Sequence, residues 1–98
     1  MPRIALTARA RDDLVRLHAF LTEVDAAVAQ RAMDAIIDAF TTLEKMPLMG
    51  SPVPDRKGLR KLVIDFGETG YTALYQLAEK TDTLQVLAIK HQREKDYR

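Results

Sequence analysis

The sequence predicts an α+β fold in which an N-terminal helix hairpin packs on a three- to four-stranded antiparallel sheet. Three observations predict it. Apolar residues recur at steps of three and four between residues 8 and 45, which is the period of amphipathic helices. The segment 47–54 then carries three prolines and a glycine, which end helical order. From Leu59 onward apolar and polar residues alternate, as they do along half-buried strands.

Size and composition predict one domain spanning residues 1–98. The chain is 47% hydrophobic and 30% charged, within the range of ordinary globular domains. It has no cysteine, which excludes disulfides and thiolate metal sites and favours a reducing compartment, the cytoplasm. The N-terminal residues offer no apolar signal segment, and no apolar run is long enough to span a membrane. We therefore expect no membrane partner.

The two helices are predicted from their caps and apolar stripes. Thr7 is a credible N-cap for a helix over Ala8–Val24, and Asp25 for a second helix that ends near Lys45. The first stripe consists of Leu14, Leu17, Leu21 and Val24. The second consists of Val28, Ala32, Ile36, Ala39 and Leu43, widened by Met33, Ile37 and Phe40. The short connection predicts that the helices pair as an antiparallel hairpin.

Three strands are predicted to form an antiparallel meander after the proline-rich loop. They are residues 59–66, 71–79 and 84–90. The glycine-rich stretch 67–70 and the KTD stretch 80–82 are the turns between them. The last strand is nearly continuous in apolar residues, as a central strand covered on both faces would be. Residues 3–7 are available as a fourth strand.

A basic group precedes and enters the first meander strand: Arg56, Lys57, Arg60 and Lys61. Strand alternation places Arg60 on the face of Leu62 and Lys61 on the opposite face. The group either holds phosphates or is a soluble strand entry. Arg60 is the strongest candidate, since an arginine on an otherwise apolar face must find an anion or reach solvent. Residues 56–98 carry nine Lys and Arg against six Asp and Glu, a weak indication of an acidic or polyanionic partner.

The C-terminal residues are the second candidate site. His91 and Arg93 have the strand parity of Leu87 and Ile89, so they would extend the end of the sheet. A histidine transfers protons near neutral pH and an arginine stabilises a phosphorane-like dianion, which is what metal-free RNA cleavage requires. Tyr97 could be a further proton donor or a base-stacking ring. The alternative is a charged C-terminus without a role.

Other chemistry finds little support in the sequence. Phosphate-binding glycine motifs, a zinc-protease motif and a nucleophile elbow are all missing, and Ser51 is the only serine. The chain has only two histidines, too few for a multi-histidine metal site. We expect no cofactor and no metal, and we interpret His18 as a histidine at the border of the core.

The order of these elements resembles the RelE/ParE superfamily of bacterial type II toxins over essentially the full chain. The segments that carry the resemblance are LR at 59–60, the hairpin with Tyr71 and ALY at 73–75, and the apolar strand that closes in KHQR at 90–93. The resemblance implies a cytoplasmic toxin, of the kind linked to plasmid stabilisation, that halts growth. It implies a ParD/RelB-like antitoxin that wraps the toxin as helix and strand in a hetero-oligomer.

Two targets divide this superfamily, and the resemblance is closer to the ParE branch, which inhibits DNA gyrase. A gyrase inhibitor would use Arg60, Lys61, His91 and Arg93 as target-binding residues without a bond-breaking role. The alternative is a RelE-like, ribosome-dependent and metal-free mRNA endoribonuclease, for which the catalytic residues would be Arg60, His91, Arg93 and Tyr97. Against it, the central strands lack the dense lysine and arginine array of RelE. A third reading is a family member that has lost toxicity and only binds or regulates.

Overall fold

The computed structural model of the protein describes residues 2–92, and its elements lie close to the predicted ones. The predicted residues Arg93 and Tyr97 lie outside the described residues. The helices are α1 (Ala8–Val24) and α2 (Ala26–Lys45). The strands are β1 (Arg3–Leu6), β2 (Ser51–Pro52), β3 (Leu59–Phe66), β4 (Thr69–Ala78) and β5 (Thr83–His91), with a 3-10 turn at Glu79–Thr81.

The helix boundaries follow from two side-chain caps, both as predicted. Thr7 Oγ1 accepts a hydrogen bond from the Ala10 N–H at 3.1 Å, which satisfies one of the free donors at the start of α1. Asp25 Oδ1 accepts from the N–H groups of Ala27 and Val28 at 2.8 and 3.3 Å. Asp25 is the only residue between the two helices, so a single residue connects the hairpin.

The sheet has five strands, in the order β1-β5-β4-β3-β2, and it is mixed. The meander of β3, β4 and β5 is antiparallel, as predicted. The N-terminal strand is present, but it pairs with β5 in parallel. The two-residue β2 adds an antiparallel fifth strand beside β3 that the sequence did not predict, because two residues including a proline show no periodicity.

Both helices pack on one face of the sheet and form a single core. The buried helix residues include Leu17, Ile36, Phe40 and Leu43, and the sheet contributes Tyr71, Tyr75, Leu84, Val86 and Ile89. The predicted stripes hold for most positions. Val24 and Ile37 are exposed instead, which corrects both expectations. Val24 is the last residue of α1 and lies beyond the covered face, while Ile37 falls at the outer margin of a stripe already filled by Ile36 and Phe40.

A β-bulge in β5 controls which side chains its last residues present. Tyr75 pairs with Val86 but Leu74 pairs with Ala88, so Leu87 is the extra residue. Side chains from the start of the chain bind the backbone around the bulge. Thr7 Oγ1 donates to the Leu87 carbonyl at 2.9 Å, and the Ile89 N–H donates to Asp13 Oδ2 at 2.8 Å. The N-cap of α1 and Asp13 within this helix therefore satisfy backbone groups that a regular ladder would otherwise pair.

Replacing Asp13 with alanine is expected to lower the free energy of unfolding by about 1–3 kcal/mol, because the Ile89 N–H loses a partly buried, charged partner. The matched control is Asp12→Ala, which removes an exposed carboxylate of the same helix and should change stability by less than about 0.5 kcal/mol. Urea denaturation of both variants measures the difference. Equal losses would show that the Asp13 bond does not support the bulge.

Candidate target-binding surface

Arg60 lies on the helix-facing side of β3, with Leu62 and Ile64, as its strand parity predicted. Its side chain is half-buried. Nη1 donates to the Gly50 carbonyl at 2.7 Å and to the Leu48 carbonyl at 3.2 Å. In this structure the guanidinium thus binds carbonyl oxygens of the loop between α2 and β2.

Tyr75 holds the same loop from the centre of the sheet. The residue is only 1% exposed. Its hydroxyl donates to the Pro47 carbonyl at 2.8 Å and accepts from the Gly50 N–H at 2.9 Å. Burial raises the pKa of the Tyr75 hydroxyl, and the Gly50 hydrogen bond and the charge of Arg60 act in the opposite direction. The neutral hydroxyl therefore holds the loop backbone by one donated and one accepted hydrogen bond, and we call this pair of contacts the clamp.

Gly50 is required at this point because the loop approaches the sheet closely. A Cβ at Gly50 would lie 2.7 Å from Tyr75 Cε1 and 2.9 Å from the Lys61 carbonyl oxygen. Both distances are shorter than real Cβ atoms show, so a side chain does not fit at this position. The loop can therefore dock on Tyr75 only with glycine at this position.

The segment Met46–Gly50, which we call the 46–50 loop, presents apolar side chains to solvent. Met46 is 57% exposed, Leu48 63% and Met49 42%. Apolar side chains exposed singly are ordinary on protein surfaces, but three within four residues form a patch. Because Arg60 and Tyr75 hold the backbone, this patch has a defined position relative to the sheet.

His91 lies at the other end of the sheet surface. It shares the helix-facing side with Ile89 and pairs with Tyr71, so the predicted parity is correct from Ile89 onward, while Leu87 is the bulge residue. The His91 and Tyr71 rings meet edge to face, with centroids 5.5 Å apart and planes at 77°. Burial raises the pKa of the Tyr71 hydroxyl. His91 itself is half-buried.

The described candidate residues do not converge on one point. Arg60 pairs with Tyr75 and His91 with Tyr71, which are four positions apart on β4, about 13 Å at the rise of a strand. Because β3 and β5 lie on opposite sides of β4, two strand spacings separate the two residues in addition. Lys61 is exposed on the opposite face of β3 from Arg60. The target-binding assignments of Arg60, Lys61 and His91 remain predictions, and the structure places these residues at separate points on the sheet.

The basic group at the start of β3 lines a shallow cavity of about 450 Å³. Its lining residues are Pro52, Val53, Asp55, Arg56, Lys57, Gly58, Leu59 and Arg60. Three of the four predicted basic residues therefore meet at one depression, while Lys61 stays outside it. The cavity also contains the carboxylate-bearing Asp55, which lowers its attraction for anions.

The residues that sequence reasoning missed are Tyr75 as a loop clamp and the exposed side chains of the 46–50 loop. Alternation placed Tyr75 on an inner face but gave no partner for its hydroxyl, because that partner lies 25 and 28 residues away along the chain. The juxtaposition of glycine and prolines around residue 50 indicated a constrained loop, which is the only signal the sequence held.

Within residues 2–92, no cluster of three or more histidine, aspartate or glutamate side chains could hold a metal ion. Neither described helix is sufficiently long and apolar to cross a membrane.

Comparison with known proteins identifies the family. The model of the ParE toxin of the type II toxin–antitoxin system parDE matches residues 4–96. The chain belongs to this ParE toxin family. It is therefore a toxin component of the RelE/ParE superfamily, as its element order and motifs predicted. No curated protein sequence matches the chain.

Solved structures confirm the fold of this ParE-family toxin. A chromosomal ParDE toxin–antitoxin system from P. aeruginosa superposes with a TM-score of 0.73 at 20% identity, covering 93% of this chain and 96% of that one. The toxin–antitoxin complex RelBE2 from Mycobacterium tuberculosis gives 0.68 at 24% identity, covering 94% and 100%. The isolated E. coli RelE toxin gives 0.68 at 11% identity, covering 98% and 89%. At these identities the likeness concerns the fold alone.

Removing the Tyr75 hydroxyl is expected to destabilise the protein by about 1–3 kcal/mol, because Tyr75→Phe leaves the Pro47 carbonyl and the Gly50 N–H without their partner. Tyr71→Phe is the matched control, since within residues 2–92 the loop is bonded to Tyr75 and Arg60 and not to Tyr71. Chemical denaturation at neutral pH should show the larger loss for Tyr75→Phe. If both variants lose the same stability, the clamp is not a significant contribution.

Alkaline pH is expected to destabilise the protein partly through Tyr71. Folding raises the pKa of the Tyr71 hydroxyl from its ordinary value near 10. The stability that this group contributes is therefore fully present below about pH 10 and declines as pH rises through the pKa of the folded state. Urea midpoints measured between about pH 8 and 11 should fall more steeply for the wild type than for Tyr71→Phe. Parallel curves would show that Tyr71 does not titrate differently on folding.

Proposed function

We propose that this toxin arrests growth by inhibiting DNA gyrase through protein contacts. The match of the ParE toxin model to residues 4–96 is the observation that carries the proposal. The side chains exposed on β3 also support inhibition through protein contacts. On the face of β3 away from the helices, Lys61, Val63 and Asp65 are exposed, so one cation accompanies an apolar and an acidic side chain. Such a surface suits a protein partner better than a phosphate backbone.

The runner-up function is ribosome-dependent mRNA cleavage. It is favoured by one arrangement: His91, a residue that can transfer protons, lies at the end of β5 against Tyr71 and two residues before Arg93. Arg60 weakens this reading. It lies about 13 Å along the strand direction and two strand spacings across the sheet from His91, and it binds loop carbonyls, an arrangement that does not favour stabilisation of one phosphate by both residues.

We further propose that the toxin is neutralised by an antitoxin in a hetero-oligomer and that it acts in the cytoplasm. The support is the family, together with the relatives from P. aeruginosa and M. tuberculosis, which are toxin–antitoxin systems or complexes. The expected antitoxin is the product of the gene next to the toxin gene. Its expression should relieve the growth arrest.

A side-by-side assay tests the proposed target. Purified toxin is expected to block supercoiling by gyrase, or to trap cleaved DNA–gyrase complexes, while mRNA on programmed ribosomes stays intact. Cleaved mRNA with unaffected gyrase would contradict the proposal and support mRNA cleavage.

If mRNA is cleaved, His91→Ala and Arg93→Ala should each reduce cleavage by about 100-fold or more. His18 is exposed on α1 and does not lie at the border of the core as expected, so His18→Ala is the control. Harmless overexpression without the antitoxin would indicate a member that has lost toxicity.

A further inference from the structure

Three cationic side chains meet at the shallow cavity at the start of β3. Arg56, Lys57 and Arg60 line it together with Asp55, so three positive charges share the cavity with one negative charge. Within residues 2–92 no ion pair joins Asp55 to any of these cations. The positive charge is therefore not cancelled inside the described protein, and the cavity attracts an anion.

The backbone around the cavity is held in place by its own hydrogen bonds. The Arg56 N–H donates to the Val53 carbonyl at 3.2 Å, and the Leu59 N–H donates to the Arg56 carbonyl at 3.0 Å. The Val53 N–H donates to the Leu59 carbonyl at 2.9 Å, which closes the segment 53–59. Because these bonds already order the segment, binding an anion would cost little additional backbone entropy.

Arg60 has hydrogen-bond donors that the described protein does not use. A guanidinium carries five N–H donors, and both hydrogen bonds to the 46–50 loop come from Nη1. Among residues 2–92, Nε and Nη2 of Arg60 have no acceptor. These two nitrogens form a planar fork that matches a carboxylate. The side chain is half-buried, so solvent screens its charge less than that of an exposed cation.

The other lining residues favour a carboxylate on a protein over a nucleic-acid backbone. Pro52, Val53 and Leu59 add apolar surface between the charged groups. A nucleic-acid strand carries a charge at every nucleotide, so neighbouring phosphates would approach Asp55 and be repelled. A single acidic side chain with apolar neighbours brings one negative charge to the cations and covers the apolar surface.

We propose that this cavity binds an acidic side chain on the surface of DNA gyrase. Nε and Nη2 of Arg60 bind the carboxylate as a fork, while Arg56 and Lys57 add positive charge at the exposed rim. Asp55 limits the affinity, because its own carboxylate lies in the same cavity. The inference rests on the proposed gyrase target and adds the chemistry of one contact with it.

Two double variants separate the cavity from the overall charge of the protein. Arg56→Glu/Lys57→Glu reverses two exposed cations of the cavity. The matched control is Arg3→Glu/Lys80→Glu, which reverses an exposed cation of β1 and one of the 3-10 turn, and changes the net charge by the same amount. A third variant, Asp55→Asn, removes the carboxylate and keeps a residue type that tolerates the positive φ of 62° at this position. Melting temperatures verify that each variant is folded.

The measurement is the dissociation constant of each full-length toxin for the gyrase holoenzyme without DNA, by calorimetry, beside the inhibition of supercoiling. The cavity double variant is expected to bind about tenfold or more weakly, and the control within about threefold of wild type. Asp55→Asn should bind about two- to threefold more tightly, because it removes a repulsion. A parallel arm measures binding of each toxin to a DNA duplex alone by fluorescence anisotropy.

The outcomes distinguish the carboxylate site from the gyrase target. If the wild-type toxin inhibits gyrase and the cavity double variant binds equally well, the site is overturned and the target stands. The same holds if both double variants weaken binding alike, since net charge then explains the loss. A wild-type toxin that neither binds gyrase nor inhibits supercoiling overturns the target and the site together.

Two further results would reject the site alone. The first is inhibition of supercoiling by a wild-type toxin that does not bind the DNA-free holoenzyme, because a protein carboxylate is present without DNA. The second is duplex binding that only the cavity double variant loses, with its affinity for the DNA-free holoenzyme unchanged, which would assign the cavity to phosphates.

Discussion

The hydroxyl of Tyr75 is the interaction on which the candidate surface depends. It is buried at the centre of the sheet, where an unpaired polar group would be costly, and two backbone groups of the 46–50 loop satisfy it completely. The same contact determines the glycine at position 50, because any side chain there would collide with the tyrosine ring. Arg60 adds a charged donor to two further carbonyls of the loop. A connection that would otherwise be flexible becomes a fixed part of the sheet surface.

The hydrogen bonds to the loop give Arg60 a structural role within the protein. An arginine on an apolar strand face needs an acceptor, and in a toxin of this superfamily a nucleic-acid phosphate is an obvious choice. Here the acceptors are carbonyl oxygens from the protein's own loop. Guanidinium groups suit such a role because they present several donors in a plane and remain charged. The residue can therefore be important to function through the loop that it positions, whether or not it touches the target.

Membership of the ParE family and similarity of fold carry different weight. The family match spans nearly the whole chain, whereas structures of ParDE and RelBE systems resemble it about equally well. A shared fold supports several chemistries, and the chemistry is decided by side chains at particular places on it. In this toxin Arg56, Lys57 and Arg60 meet at one depression at the start of β3, whereas His91 lies at the other end of the sheet.

Both helices, their threonine and aspartate caps and the antiparallel meander were predictable from the sequence, because these depend on local periodicity and on residues close together in the chain. Strand alternation also put Arg60 and His91 on the correct face of the sheet. The superfamily was indicated by a resemblance, carried by the segments at 59–60, 71–75 and 90–93. Three features appear only in the folded structure: β1 runs parallel to β5, β2 joins the sheet, and Leu87 is a bulge residue supported by Thr7 and Asp13. The clamp on the 46–50 loop belongs to the same class. Each of these features joins groups 10 to 80 residues apart, and a pattern read along the chain holds no record of which distant donor meets which acceptor.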